Sequence, residues 1–124
     1  MRNAVFALAL GLASPVQAQQ LTGQADGALL RGLDKVSGTV NDVTLPVGSE
    51  VKLGFMTVKL SECRYPKNNP SGDAFAHLTI TQDGHDAPAF SGWMTASSPA
   101  LNPLDHSRYD VWVLRCAIAK TSSE

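Results

Sequence analysis

Ser97 or Ser98, His106 and Asp110 have the side-chain types of a nucleophile, a general base and an orienting acid. In that arrangement the imidazole takes the hydroxyl proton and the carboxylate fixes the ring's tautomer. Neither serine stands in a G-x-S-x-G elbow, and both precede Pro99 in "ASSPALNP", so nothing strains a hydroxyl toward a substrate. A metal site is the second chemistry to weigh. His77, His85 and His106 with Asp83, Asp86 and Asp105 would supply imidazole and carboxylate ligands. None stands in H-x-H or H-E-x-x-H spacing, and "DGHD" at 83–86 already reads as a hairpin turn. Asp105, His106, Arg108 and Asp110 read more simply as a surface hydrogen-bond network that braces a loop. Paired carboxylates for glycoside chemistry and phosphate-cradling glycine loops are not evident. No catalytic, cofactor-binding or metal-binding residue is therefore assigned, and the pattern favours a non-enzyme.

The elements that would position these residues begin after an address. "MRNAVFALALGLASPVQAQQ" has Arg2, an apolar run from Ala4 to Ala13, Pro15, and small residues Val16 and Ala18 around Gln17. This is the layout of a secretory signal peptide, 1–18, cut after Ala18. The apolar run is shorter than the roughly 20 residues a spanning helix needs, so no membrane insertion is expected after cleavage. The expected location is the periplasm. Removal of 1–18 leaves nine Lys and Arg against eleven Asp and Glu. That balance, with no basic cluster, argues against nucleic acid or an anionic membrane as partner. What remains is one domain at 28–118, preceded by a flexible leader at 19–27 and followed by a tail at 119–124. Cys63 and Cys116 are the only two cysteines, and an oxidising compartment favours a bond between them.

Apolar alternation separated by turn residues predicts about seven short strands, at 28–35, 39–45, 50–54, 56–62, 74–82, 88–94 and 109–117. The fold class is all-β, a small antiparallel sandwich or barrel. In "AFAHLTITQ", Ala76, Leu78 and Ile80 take the inner side and His77, Thr79 and Thr81 the outer. In "YDVWVLRC" both sides are apolar, which predicts a central strand with Trp112 in the core and Cys116 on the face of Trp112 and Leu114. Strict alternation would turn Cys63 away from Val58 and Leu60, so a bulge or strand end is expected near Ser61. Residues 95–108 form a long excursion in which Ser98 and Pro99 start one helical turn that Asn102 and Pro103 stop. Trp93, Met94, Pro99, Leu101 and Leu104 are the candidate partner surface, since Trp and Met are enriched at interfaces.

The blocks "LDKVSG", "LPVGSEVKLG", "ECRYPKNNPSGDAFAHLTI", "FSGWMTASSPALNPLDH" and "YDVWVLRC" closely resemble the DUF2155 family. The likeness runs from about Leu29 to Cys116. The resemblance implies a small exported protein of alphaproteobacteria with no assigned activity. Gene neighbourhood in that family points toward the respiratory membrane and a complex I accessory function. Two function classes follow. One is a periplasmic binding or assembly module for an envelope or inner-membrane partner, and the other a small enzyme, ligand-binding or metal-binding domain built around His106.

Overall fold

Short runs in which every second residue is apolar become eight strands in the computed structural model, which describes Gly11 and residues 21–118. They are β1 (Thr22–Gln24), β2 (Gly27–Asp34), β3 (Val40–Pro46), β4 (Glu50–Leu53), β5 (Met56–Pro66), β6 (Phe75–Gln82), β7 (Phe90–Thr95) and β8 (Tyr109–Ala117), with one 3-10 turn at Pro99–Leu101. All pairs are antiparallel. One sheet runs β1-β5-β6-β7 with β4 also paired to β5, and the other runs β3-β2-β8. The antiparallel all-β architecture is as the alternation predicts. Almost all of the expected signal peptide, and the tail at 119–124, lie outside the described residues.

The inner faces meet in one core. Met56, Val58, Leu60, Ala76, Leu78 and Ile80 come from the larger sheet, and Ala28, Leu30, Leu45, Val111 and Val113 from the smaller. No polar or charged residue is buried among the described residues. Fully burying one Leu or Ile side chain contributes about 1.5–3 kcal/mol, so these positions outweigh any surface pair.

Two bulges decide which side chains belong to this core. Leu60 pairs with Leu78, but the next pair on β6 is Glu62 with His77, leaving Ser61 as an extra residue. Cys63 thereby joins Val58 and Leu60 on the inner face, as expected from a bulge near Ser61. A second bulge lies in β8. Leu30 pairs with Val113 and Leu29 with Arg115, so Leu114 is extra. This corrects the reading of β8. Val111, Val113 and Cys116 are buried, whereas Trp112 and Leu114 are only half-buried on the outer side. Cys116 does not share the Trp112 face, and Trp112 is not core. Nor is β8 central, since it pairs only with β2.

The two bulges turn both cysteines inward, and the Cys63–Cys116 disulfide joins the two sheets with a Cα–Cα distance of 5.8 Å. Crosslinking over a 53-residue separation removes unfolded-state entropy worth about 4 kcal/mol in the loop-closure picture.

Part of the expected leader is structural. Thr22–Gln24 pairs with the far end of β5, Thr22 opposite Pro66 and Gln24 opposite Arg64. Gly23 lies against the Tyr65 ring, where a Cβ would stand 2.7 Å from Cζ, so a larger residue there would require that ring to move. Ala25 N–H then donates to the Cys63 carbonyl at 2.8 Å, extending the pairing to the disulfide.

The open sides of the sandwich are closed differently. Between β3 and β4, Val47 N–H donates to the Asp26 carbonyl and Gly48 N–H to the Leu60 carbonyl, at 2.8 and 2.7 Å. Gly48 has φ +86°, a left-handed conformation that glycine takes without steric cost. Between β7 and β8, residues 96–108 cross from one sheet to the other.

Candidate functional site

The 96–108 crossing holds most of the residues that sequence chemistry singles out, and its geometry is mainly that of a brace. Met94 and Leu104, expected on a partner surface, are 2% and 5% exposed. Met94 follows Phe90 and Gly92 on the inner side of β7, and Leu104 drops into the core below the crossing. Trp93, Pro99 and Leu101 do face solvent, Trp93 at 42% and Leu101 at 78% exposure. Asn102 fixes the turn to the strand, its Nδ2 donating to the Trp93 carbonyl at 3.0 Å. That bond satisfies a carbonyl at the free edge of β7. The Trp93 ring meets His77 edge to face with centroids 5.2 Å apart. His77 lies on the outer face of β6 as predicted, and its Nδ1 is shielded from solvent with no hydrogen-bond partner.

The serine, histidine and aspartate that might form a triad are not brought together. Ser97 Oγ donates to Asp73 Oδ2 at 2.7 Å, and Ser97 N–H to Asp73 Oδ1 at 2.9 Å. Burial alone would raise the Asp73 pKa and is the largest single influence, but the hydrogen bonds from the Ser97 hydroxyl and from the Ser97 and Ala74 N–H groups together hold it below the usual carboxylate value. Ser98 caps the 3-10 turn in position only, with no side-chain hydrogen bond to it. His106 Nδ1 accepts from the Arg108 and Tyr109 N–H groups at 3.0 and 3.1 Å. The proton of neutral His106 is therefore on Nε2, which faces Gln82 Oε1 at 3.3 Å. An imidazole whose basic nitrogen is occupied by two backbone donors positions a turn rather than a reacting proton.

The expected network of Asp105, His106, Arg108 and Asp110 is thus corrected. His106 and Arg108 belong to it, while its other partners come from distant strands. Arg108 Nη2 pairs with Asp34 Oδ2 at 3.1 Å, its guanidinium lies over the Phe55 and Tyr109 rings, and Lys35 Nζ donates to the His106 carbonyl at 2.6 Å. The carboxylates of Asp105 and Asp110 take no part. On β8 alternation turns Asp110 to the outer face, in register with Leu33. The hydrogen bond from Arg108 pulls the Asp34 carboxyl down to about 2; burial opposes this, and the Ser37 and Val36 N–H groups reinforce it. The sequence could not nominate Asp34, Asp73 or Gln82, which are charged or amide residues like many others until the fold brings them near.

No three His, Cys, Asp or Glu side chains gather in a metal-holding arrangement among the described residues. Asp83 pairs with Lys52 at 2.7 Å, and His85 sits exposed in its turn. A cleft of about 200 Å³ opens at the end of the sandwich where the inward positions of β2 change from Leu30 to Gly32 and Asp34. Met56 and Val111 line its depth and Tyr109 one wall; His106 is not part of its lining.

The described residues include no helix long and apolar enough to cross a membrane. No solved structure matches the chain. A relative in Rickettsia prowazekii (strain Madrid E), an "Uncharacterized protein RP359", is 29% identical over 87 residues, covering 68% of this chain and 56% of the relative. The chain therefore spans little more than half of that relative's length. A family model described as "Uncharacterized protein conserved in bacteria (DUF2155)" matches residues 28–116, which is the sandwich from β2 to the second cysteine. On that match the chain belongs to the DUF2155 family.

Proposed function

We propose that this chain is a non-enzymatic binding module of the cell envelope, exported to the periplasm, that holds or helps assemble an envelope or inner-membrane protein. The assembly linked to respiratory complex I is the partner class the family resemblance favours. One observation carries the reading: the crossing spends its polar groups on bracing itself while presenting Leu101 and Trp93 to solvent on a fixed support. Rigid aromatic and aliphatic anchors on a braced surface are what a binding interface uses. The Cys63–Cys116 disulfide is compatible with an oxidising compartment.

A photo-crosslinking residue placed at 101 in living cells tests this reading. We expect an adduct with one envelope protein, lost in Trp93→Ala while the melting temperature stays close to that of the parent. Labelling no stronger than at exposed Lys67 overturns it. A second reading, a small-ligand domain, is favoured only by the cleft beside Tyr109. It predicts that a small-molecule screen followed by NMR shifts the Gly32 and Gly54 amides before any at Trp93.

A further inference from the structure

The inner face of the smaller sheet has one row with no side chain at its centre. Gly32 pairs with Asn41 on one side and Val111 on the other, and the next inward pair toward the end of the sandwich is Asp34 with Tyr109. Facing this row is the β4-β5 hairpin, where Leu53 pairs with Met56. Leu53 leans over Gly32 so closely that a Cβ there would lie 2.9 Å from its Cδ1. The cleft between hairpin and row, about 200 Å³, therefore has an apolar lining in Leu53, Met56 and Val111.

One polar group reaches this lining from a buried position. Tyr109 is 7% exposed, and its hydroxyl lies beside Gly54, where any side chain would collide with it; both residues line the cleft. The hydroxyl oxygen accepts from Phe55 N–H at 3.4 Å. Its own proton has no acceptor among the described residues. A buried donor left in that state is unfavourable, and an acceptor placed in the cleft would relieve it.

The lining also restricts the charge of what fits. A carboxylate has about four acceptor positions, and those of Asp34 are filled: Arg108 Nε and Nη2 and the Val36 and Ser37 N–H groups donate to it at 3.0 to 3.3 Å. Among the described residues, no lysine, arginine or histidine lines the cleft. Leu33 and Asp110 border it from positions on the outer face of the sheet. An ammonium or carboxylate drawn against Met56 and Val111 would lose hydration without gaining a counter-charge, a cost that a neutral molecule does not meet.

We propose that the cleft binds a small uncharged carbonyl compound, its oxygen accepting from the Tyr109 hydroxyl and its apolar body lying on Leu53, Met56 and Val111. An apolar cavity of about 150 Å³ accommodates benzene, so about 200 Å³ accommodates a six-membered ring carrying one carbonyl. Cyclic ketones, lactams and small esters share that chemistry, one acceptor on a compact apolar frame. The assignment rests on the small-ligand reading of this cleft and is independent of the Trp93 and Leu101 surface.

Amide NMR of the oxidised protein titrated with cyclohexanone tests the proposal. We expect the Gly32 and Gly54 amides to shift with a Kd on the order of 1 mM, as for a fragment of about seven heavy atoms. Cyclohexylammonium and cyclohexanecarboxylate keep the ring and add a charge, and each should bind at least about tenfold more weakly. Tyr109→Phe removes the hydroxyl and keeps the ring; it should weaken cyclohexanone about two- to tenfold with a melting temperature close to that of the parent. The charged analogues are read on the parent protein and do not depend on that variant folding. No shift at Gly32 and Gly54 with about 100 mM cyclohexanone overturns the proposal. So does equal binding of either charged analogue, or a folded Tyr109→Phe that binds cyclohexanone as tightly as the parent. A different molecule that shifts the same amides while cyclohexanone does not overturns this assignment alone and leaves the small-ligand reading standing.

Discussion

The two sides of the sandwich are closed by different means. Between β3 and β4, three residues suffice because their backbone N–H groups reach carbonyls of Asp26 and Leu60. Between β7 and β8, thirteen residues are needed, and side chains do the closing: Leu104 in the core, Ser97 on Asp73, Asn102 on Trp93, Arg108 on Asp34. A closure made by backbone tolerates most substitutions outside Gly48, whose φ of +86° favours glycine, since every residue but proline carries the same groups. One made by side chains is specified residue by residue, and it also leaves surface free to vary around its anchors.

Replacing Cys63 and Cys116 together by alanine should have the largest effect. It removes the tie that both closures share, and a loss of about 4 kcal/mol is expected in denaturant unfolding. If the shift in midpoint is negligible, the closures suffice without it. The contrast itself is sharpest at single residues. Leu104→Ala should cost about 2–5 kcal/mol as a core truncation, whereas Val47→Ala, at an exposed position in the backbone-closed side, should stay within about 0.5 kcal/mol. Equal losses would erase the distinction.

Smaller effects grade the hydrogen bonds of the crossing. Ser97→Ala should cost about 1 kcal/mol through its bond to Asp73, while Ser98→Ala should be silent in thermal melts. Neither serine should be labelled by a fluorophosphonate probe, and labelling of either would revive a nucleophilic role. A small effect at neutral pH is expected at the partly exposed Arg108–Asp34 pair. Its signature lies in acid. The Asp34 carboxyl is held at about 2, from an ordinary 3.8, so its contribution is present above about pH 4 and lost as pH falls toward 2. Asp34→Asn should flatten the decline of melting temperature over that window; an unchanged acid limb would remove the pair from the account.

Most strands were legible as period-two alternation, and the bulge at Ser61 was legible because Cys63 would otherwise point away from the core. The bulge at Leu114 was hidden. With Val111, Trp112, Val113 and Leu114 all apolar, alternation does not say which parity is inward; it puts Trp112 and Cys116 on one face, whereas the bulge turns Cys116 inward and leaves Trp112 on the outer side. β1 was missed because three polar or glycine residues carry no alternation; β5 supplies its pairing. Leu104 reads from sequence as partner surface, and only the fold shows it buried in the core. The brace around His106 was half readable. Its local members are adjacent in sequence, but Asp34 lies 74 residues from Arg108, a distance over which side-chain type alone gives no address.

The paired bulges carry one more consequence. A strand is a two-letter code, in and out, and each extra residue is an odd step in it. Cys63 and Cys116 reach each other only after one odd step in each sheet. A chain that slips by one residue in either sheet carries one thiol outward, where the other cannot meet it. Oxidation thus proofreads registration, and a thiol-reactive probe added after refolding counts the molecules that have paired their strands incorrectly.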